Sequence, residues 1–390
     1  MSKTYQVISA DGHCEAAPDY WHPYVPEKHR ARAPRLIDVA EGGVAWQVEG
    51  QPLRYLGQHV TGRNKVKFRG ESYRNADGSW REGCGPAAQR LREQDLDGID
   101  AEVMYPPSLI SVFSSTIADR DAYKSVVSAY NTFLAKDYCS VAPDRLIGTG
   151  ITPTSGIDDA VDELKRCKEL GLACMNFTQF PNGSGSPKPE DDRYWEAALK
   201  NDMRVTPHLR FGGPHNPTQG GNTGLQGFSA ALQQRTDSPL LFSISQMIAN
   251  GVFDRFPELQ VYVAETNASW VPSSLFFLDD NYEIFKHWFG VTLKMAPSEY
   301  IRKHFLFSFI RDPLAIGLRD FMPKGFVENN LMWGSDFPHS VGSFPDSRQW
   351  IEKVFAGAPA DLRRRVLVDT PVRYFGLDAN KELTPTPAAN

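Results

Sequence analysis

Short apolar runs recur along the chain, and longer polar or amphipathic segments separate them. Eight of these runs are too short for a buried helix and are typical of strands that are covered on both faces. The predicted strands are 5–10, 101–105, 146–151, 172–177, 204–208, 259–264, 305–309 and 330–333.

Amphipathic segments with helical spacing lie between most of these runs. In 119–139, for example, Tyr123, Val126, Val127 and Tyr130 recur at intervals that place them on one helix face. Eight strands that alternate with helices predict an α/β fold, a (β/α)₈ TIM-like barrel. A doubly wound open sheet is the alternative. That fold favours a glycine-rich first turn for phosphate binding, whereas the first predicted strand here is followed by Asp11-Gly12-His13.

The segment 42–83 departs from this alternation. Two short apolar runs there flank the turn sequence Glu49-Gly50-Gln51-Pro52, which predicts a small inserted antiparallel β subdomain. The segment 212–229 is rich in Gly, Asn and Thr and is long for a barrel connection, so we expect a lid loop. We expect residues 1–382 to form one domain and residues 383–390 to form a flexible tail.

Composition narrows the class of protein. The 390 residues include 41% hydrophobic and 23% charged residues, and the net charge of -5 comes without a basic block, which argues against nucleic-acid binding. No apolar run reaches the length of a membrane span. The five cysteines form no C-x-x-C pair and are odd in number, which favours reduced thiols and a cytoplasmic protein that acts on a small molecule.

Side chains that can ligate metals follow several of the predicted strands. Residues i and i+2 of a strand share a side, so Asp11 and His13 can converge on one ion. His208, Glu265 and Asp336 follow the fifth, sixth and eighth strands. Because the carboxyl ends of barrel strands form one rim, these groups predict a site for Zn²⁺, Fe²⁺ or Mn²⁺.

Four motifs in this order resemble the amidohydrolase-related (amidohydrolase 2) family, which includes aminocarboxymuconate-semialdehyde, resorcylate and carboxyvanillate decarboxylases and several hydrolases. The motifs are D-G-H-x-E at 11–15, Pro-His at 207–208, A-E-T-N-A-S-W at 264–270 and W-G-S-D-F-P-H at 333–339. The resemblance implies a metal held by Asp11, His13, His208 and Asp336. It also implies that Asp336 handles the proton of a metal-bound water.

Two departures from the family pattern matter. The fourth strand has no lysine, which argues against a carbamylated lysine that bridges two metals. Glu265 stands where the family's decarboxylases have a histidine that acts as acid or base. A carboxylate there can bind a second metal or act as general base for water, so the number of metals, one or two per chain, stays open.

These departures favour a metal-dependent hydrolase, in which metal-bound hydroxide attacks an amide, ester, thioester or activated C–C bond. Asp336, Glu265 and His339 are its predicted catalytic residues, although His339 is equally explained as a loop histidine packed on Phe337. A non-oxidative decarboxylase of an aromatic or enoic acid is the alternative, and a catalytically idle binding barrel is the third, less favoured hypothesis.

Further residues after the strands are candidates for binding an anionic substrate, since guanidinium and imidazole groups pair with carboxylates. They are Arg210, His215 and Arg311. A homodimer is expected as the commonest symmetric assembly, with the aromatic-rich helix over 273–289 as a candidate interface.

Overall fold

The computed structural model describes residues 4–67, 69–213, 224–236 and 238–388. These residues contain two sheets. In chain order the strands are β1 (Ile8–His13), β2 (Arg35–Asp38), β3 (Val44–Gln47), β4 (Arg54–Tyr55), β5 (Ala101–Tyr105), β6 (Leu146–Ile151), β7 (Cys174–Asn176), β8 (Arg204–Thr206), β9 (Val261–Val263), β10 (Phe305–Phe309) and β11 (Leu331–Trp333).

The larger sheet has eight parallel strands in the order β1-β5-β6-β7-β8-β9-β10-β11. Two backbone hydrogen bonds join its outer edges just beyond β11. Asp336 N donates to Asp11 O at 2.8 Å, and His13 N donates to Phe337 O at 2.8 Å. The (β/α)₈ prediction is therefore confirmed, and the doubly wound alternative is wrong.

The barrel strands are buried along nearly their whole length, which explains their continuous apolar runs. Inside the barrel, Tyr262 Oη donates to Ala10 O at 2.8 Å across the interior. Each fully buried side chain such as Met332 or Phe307 contributes about 1.5–3 kcal/mol to folding.

Helices connect successive barrel strands. On the helix over 157–169, buried Ala160, Leu164 and Cys167 recur at helical spacing and pack inward. In chain order the helices are α1 (Pro18–Trp21), α2 (Glu27–Arg30), α3 (Ala87–Asp97), α4 (Ser108–Ser111), α5 (Arg120–Phe133), α6 (Ile157–Glu169), α7 (Asp192–Lys200), α8 (Gly224–Gln233), α9 (Leu240–Ala249), α10 (Val252–Arg255), α11 (Val271–Phe289), α12 (Pro297–His304), α13 (Leu314–Gly317), α14 (Phe326–Asn330), α15 (Ser347–Val354), α16 (Ala360–Arg364) and α17 (Thr370–Phe375).

The smaller sheet is antiparallel, with the order β2-β3-β4. This confirms the inserted β subdomain and the hairpin formed by β3 and β4. The sheet begins at Arg35, before the predicted start of the insertion at 42. Sequence patterning missed β2 because its four residues, Arg35–Asp38, are too few to show a period of two.

Part of the predicted lid loop over 212–229 is helical. α8 begins at Gly224, and Phe228 is fully buried against the rings of Tyr282 and Phe289 at centroid distances of 6.2 and 5.9 Å. That packing overrides the loop-like composition of the segment. Residues 214–223, the centre of the predicted lid, lie outside the described residues.

The tail predicted to be flexible contacts the barrel over part of its length. Leu383 is buried, and Thr384 N donates to Asp144 Oδ2 at 2.7 Å. The limits of the domain and the mobility of the tail remain predictions.

The described helices are short or polar. Within residues 4–67, 69–213, 224–236 and 238–388, no helix is both long enough and apolar enough to span a bilayer.

Candidate metal centre

Four side chains from three different strand ends meet at the carboxyl end of the barrel. His208 Nε2 lies 3.2 Å from Asp11 Oδ1, and His13 Nε2 lies 3.6 Å from the same oxygen. His13 Nε2 is also 3.2 Å from Asp336 Oδ1. One ligand atom from each side chain lies within 4.8 Å of the others, so Asp11, His13, His208 and Asp336 form a potential metal-ligand group. We call it the inner group.

Local backbone geometry directs these side chains to one place. The register of β1 against β5 shifts between Ser9 and Gly12, an irregularity of the kind that re-aims side chains next to active sites. Asp336 adopts the left-handed region with φ of 53°, which is uncommon for a residue other than glycine. The hydrogen bond from Asp336 N to Asp11 O holds that conformation.

The inner group is buried, and several of its polar atoms lack a hydrogen-bond partner. Asp11 and Asp336 are fully buried, and His13 is 3% exposed. Asp11 Oδ2, both carboxylate oxygens of Asp336 and both ring nitrogens of His13 make no hydrogen bond within the described residues. Leaving such groups unpaired costs several kcal/mol. A divalent cation would satisfy the carboxylate oxygens and one ring nitrogen of His13, and two carboxylates with two imidazoles suit Zn²⁺, Fe²⁺ or Mn²⁺.

The two aspartates of the inner group differ in their pKa. Burial raises the pKa of Asp11 above its ordinary value, and His208 offsets this only in part. Burial acts in the same direction on Asp336, but His339 and His13 outweigh it and hold the pKa of Asp336 below its ordinary value. Asp336 is therefore the more firmly ionised of the two.

Glu265 lies behind His208, outside the inner group. Its Oε2 is 3.6 Å from His208 Nδ1, the ring nitrogen on the opposite side from Asp11. The contact is an ion pair longer than a hydrogen bond, and it lies on the side from which carboxylates orient metal-ligating histidines. Burial, and then the charge of Asp336, raise the pKa of Glu265 to about 7. Its predicted role as a metal ligand remains a prediction.

A second cluster lies next to the inner group, and it brings in one histidine that sequence patterning missed. His339 Nδ1 is 3.0 Å from Asp336 Oδ1, while its Nε2 is 3.1 Å from Glu15 Oε1. His59 Nδ1 is 3.4 Å from His339 Nε2. His59 follows the inserted β hairpin, and no pattern around it in the sequence signals its position.

A buried ion pair lies beneath the inner group. Arg90 Nε donates to Glu102 Oε2 at 2.7 Å, and both side chains are almost fully buried. The Arg90 guanidinium also donates to His13 O at 3.2 Å and to Phe337 O at 3.0 Å, so it joins the two edges of the barrel. A charged residue inside the apolar run Ala101–Tyr105 is a signal that could have identified Glu102.

The inner group opens into a cavity of about 860 Å³. Its charged and titratable lining residues are His13, His59, His208, Arg210, Glu265 and His339. Uncharged polar side chains, among them Gln58, Ser108 and Asn176, line the rest together with apolar residues. The volume lies within the range of small-molecule pockets.

The three predicted substrate-binding residues have different positions. Arg210 is exposed and lines the cavity. Arg311 lies over the ring of Trp350 at 5.3 Å and is not among the cavity-lining residues described. His215 lies outside the described residues.

Comparisons with known protein families, sequences and structures agree with one another. The model of the family described as Amidohydrolase matches residues 105–377. A 2-amino-3-carboxymuconate-6-semialdehyde decarboxylase from Dictyostelium discoideum is 25% identical over 330 residues, covering 84% of this chain and 86% of its own length.

Solved structures show the same fold. An amidohydrolase from Mycobacterium avium subsp. paratuberculosis K-10 has a TM-score of 0.69 at 18% identity and covers 96% of this chain and 100% of its own. A 5-carboxyvanillate decarboxylase from Novosphingobium aromaticivorans DSM 12444, complexed with manganese and 4-hydroxy-3-methoxy-5-nitrobenzoic acid, has a TM-score of 0.60 at 16% identity and covers 96% of each chain. The family match over residues 105–377, with this fold and these motifs, means that the chain belongs to the amidohydrolase family.

Proposed function

We propose that the protein is a metal-dependent, non-oxidative decarboxylase of a small aromatic or enoic carboxylic acid. The observation that carries the proposal is the position of Glu265, a cavity-lining carboxyl group directly beside the inner group. The similarity to an aminocarboxymuconate-semialdehyde decarboxylase over most of both chains supports the same reaction class. The hydrolase favoured by sequence patterning becomes the second candidate.

Substrate binding is assigned to the inner group and the cavity. A divalent metal bound by Asp11, His13, His208 and Asp336 supplies positive charge for the substrate carboxylate. Manganese in the carboxyvanillate decarboxylase supports Mn²⁺ as the first ion to test. Arg210 at the cavity wall can pair with a second anionic group of the substrate.

Glu265 then provides the proton for the carbon that loses the carboxylate. The Glu265 carboxyl donates its proton to that carbon, using a π-electron pair of the substrate. The bond to the carboxylate breaks, its electron pair restores the π system, and carbon dioxide leaves. The side chain of Glu265 is 19% exposed, so the carboxylate that remains can regain a proton from solvent in the cavity.

The test is carbon dioxide release from Mn²⁺-loaded protein with a panel of hydroxybenzoic acids and enoic diacids. We expect release from at least one member and formation of the product with hydrogen in place of the carboxylate. In deuterated water the product should carry deuterium at that carbon. Glu265→Gln should retain its metal and lose most of this activity, and a fully active Glu265→Gln protein would contradict the assigned proton donor.

Hydrolysis remains a second candidate because Glu265 is a carboxylate, which can also accept a proton from water. In that case the same protein should release an acid from esters, thioesters or vinylogous carbonyl compounds without forming carbon dioxide. Product identification by mass spectrometry separates the two reactions, since hydrolysis in ¹⁸O-labelled water introduces one labelled oxygen.

A further inference from the structure

We propose that Glu15, His59 and His339 hold a second divalent cation, adjacent to the inner group and facing the same cavity. We call these three residues the outer group. Only His339 was predicted as a site residue from the sequence. The inference rests on the geometry of the three side chains and not on the proposed decarboxylation.

The first argument is the spacing of the three ligand atoms. Glu15 Oε1 lies 3.1 Å from His339 Nε2, His339 Nε2 lies 3.4 Å from His59 Nδ1, and His59 Nδ1 lies 4.0 Å from Glu15 Oε1. A point in the plane of these atoms that is equally far from all three lies about 2.1 Å from each, the usual bond length from Zn²⁺ to imidazole nitrogen or carboxylate oxygen. The three atoms therefore already have the separations of ligands around one ion.

The second argument is the state of Glu15. Its side chain is fully buried, and its Oε2 has no hydrogen-bond partner within the described residues. A buried carboxylate with one unsatisfied oxygen is destabilising, and a cation held by Oε1 reduces that cost because it neutralises the buried charge.

The third argument is the orientation of both imidazoles. His339 Nδ1 faces Asp336 Oδ1 at 3.0 Å, which leaves Nε2 for the outer group. His59 Nε2 lies 3.4 Å from Ser108 Oγ, which leaves Nδ1 for the outer group. Histidines that ligate metals usually bond a carboxylate, carbonyl or water through their second nitrogen, and this arrangement fixes the tautomer that ligation needs.

The outer group also leaves room for a ligand from solution. His59 and His339 both line the cavity, and the side chain of His59 is 18% exposed. Three protein ligands with an open position are typical of catalytic rather than structural metal sites. A substrate group in the cavity can therefore occupy the open position of the outer group.

The experiment measures bound metal rather than activity. Protein stripped with chelator is loaded with Mn²⁺ and passed through a desalting column, and manganese is determined per chain by elemental analysis. We expect two equivalents in the wild type and one in His59→Ala and Glu15→Gln. The control His287→Ala, which removes an exposed histidine of α11, should keep two.

Electron paramagnetic resonance provides a second readout on the same samples. The wild type should show the signal of two magnetically coupled Mn²⁺ ions, and His59→Ala should show that of an isolated ion. Thermal unfolding verifies that the variants are folded. One equivalent in the wild type, two equivalents in both variants, or the loss of both ions from a folded His59→Ala protein would each overturn the proposal. Each of these results is independent of whether any substrate is decarboxylated.

Discussion

His339 Nδ1 lies 3.0 Å from Asp336 Oδ1, so the aspartate that faces the inner group also orients the histidine three residues further along the chain. The backbone reinforces this arrangement, since His339 N donates to Asp336 O at 2.8 Å. One short turn thus supplies a ligand candidate to each of two neighbouring clusters. A change at Asp336 is therefore expected to affect both.

Removal of metal should lower the stability of the protein. Without a cation, the two carboxylates of Asp11 and Asp336 remain buried beside each other with oxygens that accept no hydrogen bond, which destabilises the folded state. At a Mn²⁺ concentration 100 times the dissociation constant, binding adds about 2.7 kcal/mol to the free energy of unfolding. Calorimetry of chelator-treated protein should show a lower Tm that rises when Mn²⁺ is restored.

Asp336→Asn provides the matched control for that measurement. The amide keeps the size of the side chain but removes its charge, so the Tm of this variant should respond much less to Mn²⁺. An equal response in both proteins would contradict the assignment of Asp336 as a ligand.

The rate of decarboxylation should depend on pH through Glu265. Burial and the charge of Asp336 raise the pKa of Glu265 to about 7. A proton donor works in its protonated form, so kcat should be highest below pH 7 and fall as the pH rises through that value. Loss of a general acid lowers the rate roughly 10²–10⁴-fold, and we expect this decrease in kcat for Glu265→Gln. The kcat of this variant should also no longer fall as the pH rises through 7. A rate that rises through pH 7 would instead indicate a general base and favour hydrolysis.

Gly334→Ala should disrupt the contact between the last strand and the first. A Cβ at position 334 would lie 2.4 Å from the Cβ of Asp11, too close for two carbons that are not bonded to each other. Overpacking of this kind costs typically about 1–3 kcal/mol, and it should also displace Asp11 and weaken metal binding. Gly317→Ala is the control, because a Cβ there meets no atom within 4 Å. Chemical denaturation should give a lower free energy of unfolding for Gly334→Ala than for Gly317→Ala. Equal free energies of unfolding would contradict the close packing at Gly334.

Arg90→Met should destabilise the barrel strongly. It would leave Glu102 buried without its partner and would remove the bonds to His13 O and Phe337 O. Breaking a buried pair from one side costs about 3–5 kcal/mol. Arg363→Met breaks the exposed pair with Glu352, so it should cost at most about 1 kcal/mol. Urea unfolding curves of the two variants provide the comparison.

The barrel and the inner group could be predicted because each depends on local signals. Strand ends are marked by apolar runs, and the topology of a parallel barrel brings all carboxyl ends to one rim. Asp11, His13, His208 and Asp336 follow such runs directly, so their convergence required no knowledge of loop geometry.

Other features depend on long-range contacts, which the pattern of residues along the sequence does not reveal. His59 reaches the outer group only because the segment after β4 folds back over the cavity. α8 forms because Phe228 finds an apolar surface on α11, although its composition is that of a loop. The partner of Glu102 lies on α3, and nothing in the strand sequence identifies it as Arg90.

The joining of β1 to the segment after β11 has a consequence for biosynthesis. Asp336 is translated long after Asp11, and the hydrogen bond between them exists only when both are present. A nascent chain still lacking β11 has neither a closed barrel nor a complete inner group. Completion of the inner group therefore has to wait until the segment that contains Asp336 has been translated, and premature stop codons anywhere before position 336 should yield chains unable to form it.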